Sequence, residues 1–154
     1  MRKTPVFEIV SALAVATLLA WAAPVIAEDE EKPRVLKVCE RHYAKAVNSH
    51  NGRPKALKSC IRAARAGHTS AFVAIGVLYR EGIPTMGTIS PVRYPELAYK
   101  SFKEAAERGS AQGHYLLGVA YERGEGVVKD LVAAAVWKAK AETMGYVHDP
   151  DTHP

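Results

Sequence analysis

The stretch "LLGVAYERGEG", residues 116–126, sets one glycine inside a helical pattern and two at its end. Gly118 in a helix interior costs roughly 1 kcal/mol relative to alanine, so the position must gain something in return. A phosphate-cradling loop is one explanation, and close approach of a neighbouring helix is another. The rest of the sequence decides between them. "GEGVVKD" lacks the lysine-serine or lysine-threonine pair of a phosphate loop and follows a helical pattern rather than a strand.

The same pattern occurs earlier in the chain. "GHTSAFVAIGVLYREG", from Gly67, lies over "GSAQGHYLLGVAYERG", from Gly109, and pairs Gly76 with Gly118, Tyr79 with Tyr121 and Gly82 with Gly124, each 42 residues apart. "ALKSCIRAARAG", from Ala56, pairs with "AYKSFKEAAERG", from Ala98, at the same offset. A fixed period of this length is the mark of a repeat protein. Ala71, Ile75, Leu78 and Tyr79 fall on one face of a helix, as do Ala98, Phe102, Ala105 and Ala106. Each unit is therefore two helices, A and B, and each helix stops at a glycine suited to a left-handed cap. On the last B helix Ala133, Trp137 and Ala141 take the packing places before Gly145, with the match slipping by one residue. The packing set is then Gly76, Tyr79, Gly82, Gly118, Tyr121 and Gly124.

Between A and B the second unit carries "IPTMGTISPVRYPE", about seven residues longer than the corresponding connection in the last unit, counted to Ala98 and Ala133. It contains Met86 and Tyr94, and Pro95-Glu96 is a good start for helix B. Repeat insertions fall in loops, often on a binding face, so function and drift both remain open. Upstream, residues 35–47 read as a degenerate A helix, followed by a turn and a B helix from about Lys55. There Cys60 stands where Phe102 and Trp137 stand in the other units. Cys39 and Cys60 are the chain's two cysteines. In an antiparallel helix pair they face each other across the turn near Asn51, and in an oxidising compartment they read as one disulfide.

The chain begins with Arg2 and Lys3, an apolar run from Ile9 and the small-residue end Val25-Ile26-Ala27, ahead of an acidic stretch. That is the layout of a signal peptide cleaved after Ala27; a membrane tether through an uncleaved segment is the alternative. The expected organisation is a signal peptide at 1–27, an acidic linker at 28–34, a repeat domain at 35–145 with units 35–67, 67–109 and 109–145, and a polar tail at 146–154. Losing Arg2, Lys3 and Glu8 lowers the formal charge from +5 to +4. A mild positive excess in a periplasmic or secreted protein fits a protein or anionic envelope component as partner and argues against nucleic acid.

"LGVAYERGEGVVKDLVAAAVWKAKAETMG" resembles the Sel1-like repeat, a relative of the tetratricopeptide repeat. Residues 109–145 carry nearly all of its pattern, 67–109 carry it with the insertion, and 35–67 carry only the B half. The resemblance implies an all-α solenoid of about three helix pairs that works as a protein-interaction scaffold. A cysteine-rich exported branch of the family, with disulfides joining A to B, is associated with binding or hydrolysis of beta-lactams or peptidoglycan fragments. This chain has one such pair rather than one per repeat.

Catalysis finds only fragments of machinery. Ser70 has no adjacent histidine or glycine elbow, and Ser101 is followed three residues on by Glu104 instead of lysine. The tail "HDPDTHP" can be drawn as a metal site from His148, Asp149, Asp151 and His153, but a frayed polar end is the simpler reading. The expectation is a non-enzyme with no cofactor and no metal. For binding, Phe72, Arg80, His114, Tyr115, Glu122 and Arg123 lie off the packing stripe and are the candidates for a concave partner groove, although packing against an adjacent repeat explains Phe72 and Tyr115 equally well. A second candidate surface is the last helix, where Leu131, Val132, Ala135 and Val136 form either a harmless outer face or a dock for a partner or a second copy.

Overall fold

The computed structural model describes residues 33–85 and 90–148. The expected leader, most of the acidic linker, Met86 with its three following residues, and Asp149, Asp151 and His153 lie outside the described residues. Contacts divide the chain after Arg34, and residues 35–154 form one compact unit. The helix α1 (33–47), whose first two residues precede that boundary, is followed by a 3-10 turn, His50–Gly52, and then by α2 (Arg53–Arg65), α3 (Thr69–Glu81), α4 (Pro95–Glu107), α5 (Ala111–Arg123) and α6 (Leu131–Thr143). From α2 to α6 each helix packs on its neighbour in sequence. That nearest-neighbour pattern, with no strand among the described residues, is an all-α solenoid.

Local chemistry sets the helix ends. Ser110 caps α5 by accepting from Gly113 N at 3.0 Å, and Asp130 caps α6 by accepting from Val132 N at 2.9 Å and Ala133 N at 3.0 Å. Pro54 and Pro95 open α2 and α4, where a missing N–H leaves nothing unsatisfied. Each B helix ends in the same pair of reverse bonds: His68 N to Ala63 O and Gly67 N to Ala64 O, repeated at Ser110 with Gly109 and at Tyr146 with Gly145. This double bond requires a left-handed residue, and the glycines supply it at φ 93°, 83° and 83°.

These ends give a register for the B helices that differs from the one expected. Measured from its own cap, α6 sets Ala134, Lys138, Ala141 and Gly145 against Ala98, Phe102, Ala105 and Gly109 of α4, all 36 residues apart. No slip is present, and Ala134 and Ala141 are the buried pair, whereas Ala133 is only partly covered. Lys138, not Trp137, is the counterpart of Phe102 and Cys60, and its aliphatic stem fills the place of the ring. The insertion is accordingly six residues long. It closes on itself through the Ile83–Val92 bridge, with N–H to carbonyl distances of 2.8 and 3.0 Å, and Ile83 is buried with Ala46, Ala56 and Leu78.

Helices approach closely where glycine removes the side chain. A Cβ on Gly76 would lie 2.6 Å from Cδ1 of Phe102, and one on Gly118 would lie 2.8 Å from Cγ of Lys138 and 2.9 Å from the Ala134 carbonyl oxygen. Both glycines face the B helix of their own unit. Gly113 does the same between units, 2.8 Å from both Ala105 Cβ and Ala106 N. Tyr79 and Tyr121 flank these contacts, edge-on to Tyr94 at 5.9 Å and to Tyr99 at 5.8 Å.

In the first unit the Cys39–Cys60 disulfide joins α1 to α2 with the Cα atoms 4.6 Å apart, and both residues are buried beside Val35, Ala63 and Ile75. α2 begins at Arg53, two residues before the expected start. Arg53 is buried, and its Nη1 donates to the carbonyls of Glu81 at 2.8 Å and Gly82 at 3.0 Å. A guanidinium thus caps the C-terminus of α3, where exposed carbonyls and the helix dipole favour a cation. Arg53→Met keeps the stem but orphans those carbonyls, and is expected to cost about 2–3 kcal/mol in urea unfolding; a loss below about 0.5 kcal/mol would mean that water replaces the cap.

Candidate interaction surfaces

The A helices line one groove together. Leu36, Glu40 and Tyr43 of α1, Ser70 and Ala74 of α3 and Gln112 of α5 border a cavity of about 140 Å³. Burial pushes the Tyr43 phenol above its ordinary pKa. None of the six residues expected at a partner groove lines this one. The reason is geometric: residues off the packing stripe of an A helix are taken up by the flanking B helices, by the segment after α6 or by ion pairs.

Phe72 lies between α2 and α4, with the Arg108 guanidinium 4.6 Å from its ring centre. His114, expected among the exposed candidates, is buried; its ring sits 5.5 Å from that of Trp137, and Nδ1 is 2.8 Å from Ser110 O. It is therefore a packing residue. Tyr115 lies under the described part of the tail, 5.0 Å from Tyr146 and 4.6 Å from His148 by ring centroids. Residues 146–148 are thus folded back on α5 rather than frayed. Arg80 lies 3.7 Å from Glu81 and borders a second cavity of about 440 Å³ with Arg93, Glu96 and the Gly124–Val127 turn. Glu122 pairs with Lys138 at 2.8 Å, and that ammonium holds its carboxyl below the usual range; Arg123 lies 3.7 Å from Glu125. The Tyr99 phenol, bonded to Tyr121 at 3.0 Å, is pushed up to about 12, first by that bond and then by burial. These residues are dispersed over several faces and form no single site.

The last helix is different. Leu131, Val132 and Val136 are 61%, 76% and 61% exposed, Ala135 is exposed between them, and Val128 precedes them at 86%. This is a continuous apolar strip on one side of α6. Among the described residues no group of three or more histidine, cysteine or acidic side chains is placed to hold a metal, and no helix is long and apolar enough to cross a membrane.

Sequence reasoning missed two structural residues of these surfaces. Gly113 was legible in principle, because its counterpart 42 residues earlier is the small, buried Ala71. Arg53 left no local signal, since its partners lie 28 and 29 residues away.

Helix pairs stacked by nearest-neighbour contacts, with glycines at each close approach and at each B-helix stop, define a helical-repeat solenoid. The comparisons agree with that class. Over 68% of this chain and 40% of its own length, the Sel1 repeat protein of Oxalobacter formigenes superposes with a TM-score of 0.55 at 25% identity. The protective antigen c5321 of uropathogenic Escherichia coli, which displays an SLR fold, gives a TM-score of 0.54 at 30% identity over 70% of this chain and 23% of its own. Alginate biosynthesis protein AlgK of Azotobacter vinelandii is 35% identical over 91 residues, 59% of this chain. The chain spans only 18% of the length of that relative. No protein-family model matches the chain. With its own repeat pattern and these structural neighbours, the chain has the Sel1-like repeat fold, an all-α helical-repeat solenoid.

Proposed function

We propose that the chain is an exported, non-catalytic interaction module that binds a protein or anionic envelope component, with the apolar strip on α6 as its principal contact. The observation that carries this reading is the exposure of Leu131, Val132 and Val136 on α6, where the register of α4 sets Pro95 and the exposed, charged Glu96 and Lys100. A contiguous apolar patch at places where the equivalent helix carries charge marks an interface. A further repeat of the same geometry is a poor occupant. Stacked as α5 stacks on α4, it would meet Glu142 where Gly113 meets Ala106. Export is supported by the leader-like residues 1–27 and by the buried disulfide, which suits an oxidising compartment.

Val132→Asp with Val136→Asp tests the reading. Both side chains are exposed, so folding should change by no more than about 0.5 kcal/mol per site. Binding of an envelope protein, or self-association in sedimentation, should be lost. A parent that remains monomeric and captures nothing, or a double variant that captures as well as the parent, sinks the proposal. Mass spectrometry of the exported protein gives its N-terminus in the same experiment, with Glu28 expected.

A further inference from the structure

The repeat register exposes a difference between two equivalent grooves. On α5 the place equivalent to Phe72 is His114, and the indole of Trp137 on α6 lies 5.5 Å from its ring, tilted at 48°. Between α2 and α4 the floor is Phe72, 42 residues before His114, and the counterpart of Trp137 is Ser101, 36 residues before it. Replacing an indole by a hydroxymethyl leaves a groove of about 480 Å³ over Phe72, walled by Ile61 and bordered by Ser101. That volume is within the range of ligand-holding clefts. Its rim is cationic: Arg65 is exposed on one side, and on the other Arg108 lies over Phe72 while neutralising Glu104 at 2.7 Å. The Ser101 hydroxyl donates to Leu97 O at 2.8 Å and so turns back along its own helix rather than into the groove.

We propose that this groove docks an aromatic side chain, indole above all, from a partner segment in which the aromatic residue is flanked by carboxylates. The molecule shows the fit itself, because one unit fills the equivalent place with its own tryptophan. Charge selects the flanks: Glu104 is already paired, which leaves Arg65 and the outer edge of Arg108 for an acidic neighbour of the inserted ring. Aromatic rings between an apolar floor and arginine edges are a frequent form of interface anchor. The inference rests on the interaction-module reading but concerns a face remote in sequence from the α6 strip, so the two can fail separately.

The test uses a fluorescein-labelled peptide, Ser-Asp-Asp-Trp-Asp-Ser, read by anisotropy, with versions carrying lysine for aspartate or alanine for tryptophan. Saturable binding is expected, at least tenfold tighter for the acidic tryptophan peptide than for either analogue. Ser101→Trp closes the groove with an indole of the chain's own and should weaken binding at least tenfold without lowering the melting temperature. Arg65→Glu, an exposed change that leaves the packing alone, should do the same. Equal binding of the acidic and basic peptides, no saturation, or full binding by either variant would overturn the assignment. If the peptide does not bind and Val132→Asp with Val136→Asp still abolishes association, the groove proposal falls and the module reading stands.

Discussion

Gly113→Leu is expected to destabilise the chain by about 3 kcal/mol, at the upper end of what overpacking costs. The atoms in its way are mostly backbone: Ala106 N at 2.8 Å and Ala105 C at 2.9 Å from the place of a Cβ, beside Ala105 Cβ at 2.8 Å. A side chain can swing aside, but a neighbouring helix backbone moves only if α5 as a whole moves off α4, which would open the seam between the second and third units. Even Gly113→Ala should be a net loss of about 1–2 kcal/mol, although alanine gains roughly 1 kcal/mol in helix propensity. Gly118→Ala should lose less, because one of its two closest obstacles is the flexible stem of Lys138. Urea unfolding followed by far-ultraviolet circular dichroism measures all three. If Gly113→Ala stabilises by the propensity gain alone, close approach of α4 is not what the glycine provides.

The glycines and small residues at fixed offset made the repeats legible, since a close helix approach admits no other residue type and so writes itself plainly into the chain. The register of the last B helix was not legible in the same way. Matching aromatic with aromatic placed Trp137 at the Phe102 position, whereas distance from the Asp130 cap places Lys138 there. Residue chemistry misled because a lysine stem and a phenyl ring can fill the same gap, while Trp137 serves a different neighbour, His114. The surroundings of the candidate contact residues were not legible for a related reason. Phe72 lies between α2 and α4, and His114 turns its ring onto Trp137 of its own B helix, contacts that no periodicity within one helix reports. The apolar strip on α6 was read correctly as apolar, but only the structure shows that its residues are exposed.

Removing the disulfide should have an effect of similar size but concentrated at one end of the solenoid. Cys39 and Cys60 are 21 residues apart, and cross-linking a loop of that length stabilises by about 3 kcal/mol in the chain-entropy model. For a domain of this size the double variant Cys39→Ala with Cys60→Ala is then expected to melt roughly 10–20 °C lower. Because each helix pair contacts only its neighbours, the loss should remain local. α1 is held by the disulfide and by Val35, Tyr43 and Ala46, which pack on α2 and α3, and without the cross-link it becomes the least protected helix of the unit. Hydrogen exchange should therefore rise in α1 and α2 first, with α5 and α6 keeping parental protection until global unfolding. Reduction of the parent protein should reproduce the pattern with a smaller fall, since the sulfur atoms still fill the space that alanine leaves empty. An unchanged melting temperature would show that the cross-link adds nothing to packing that already holds α1, and a uniform rise in exchange would show that the units do not unfold independently.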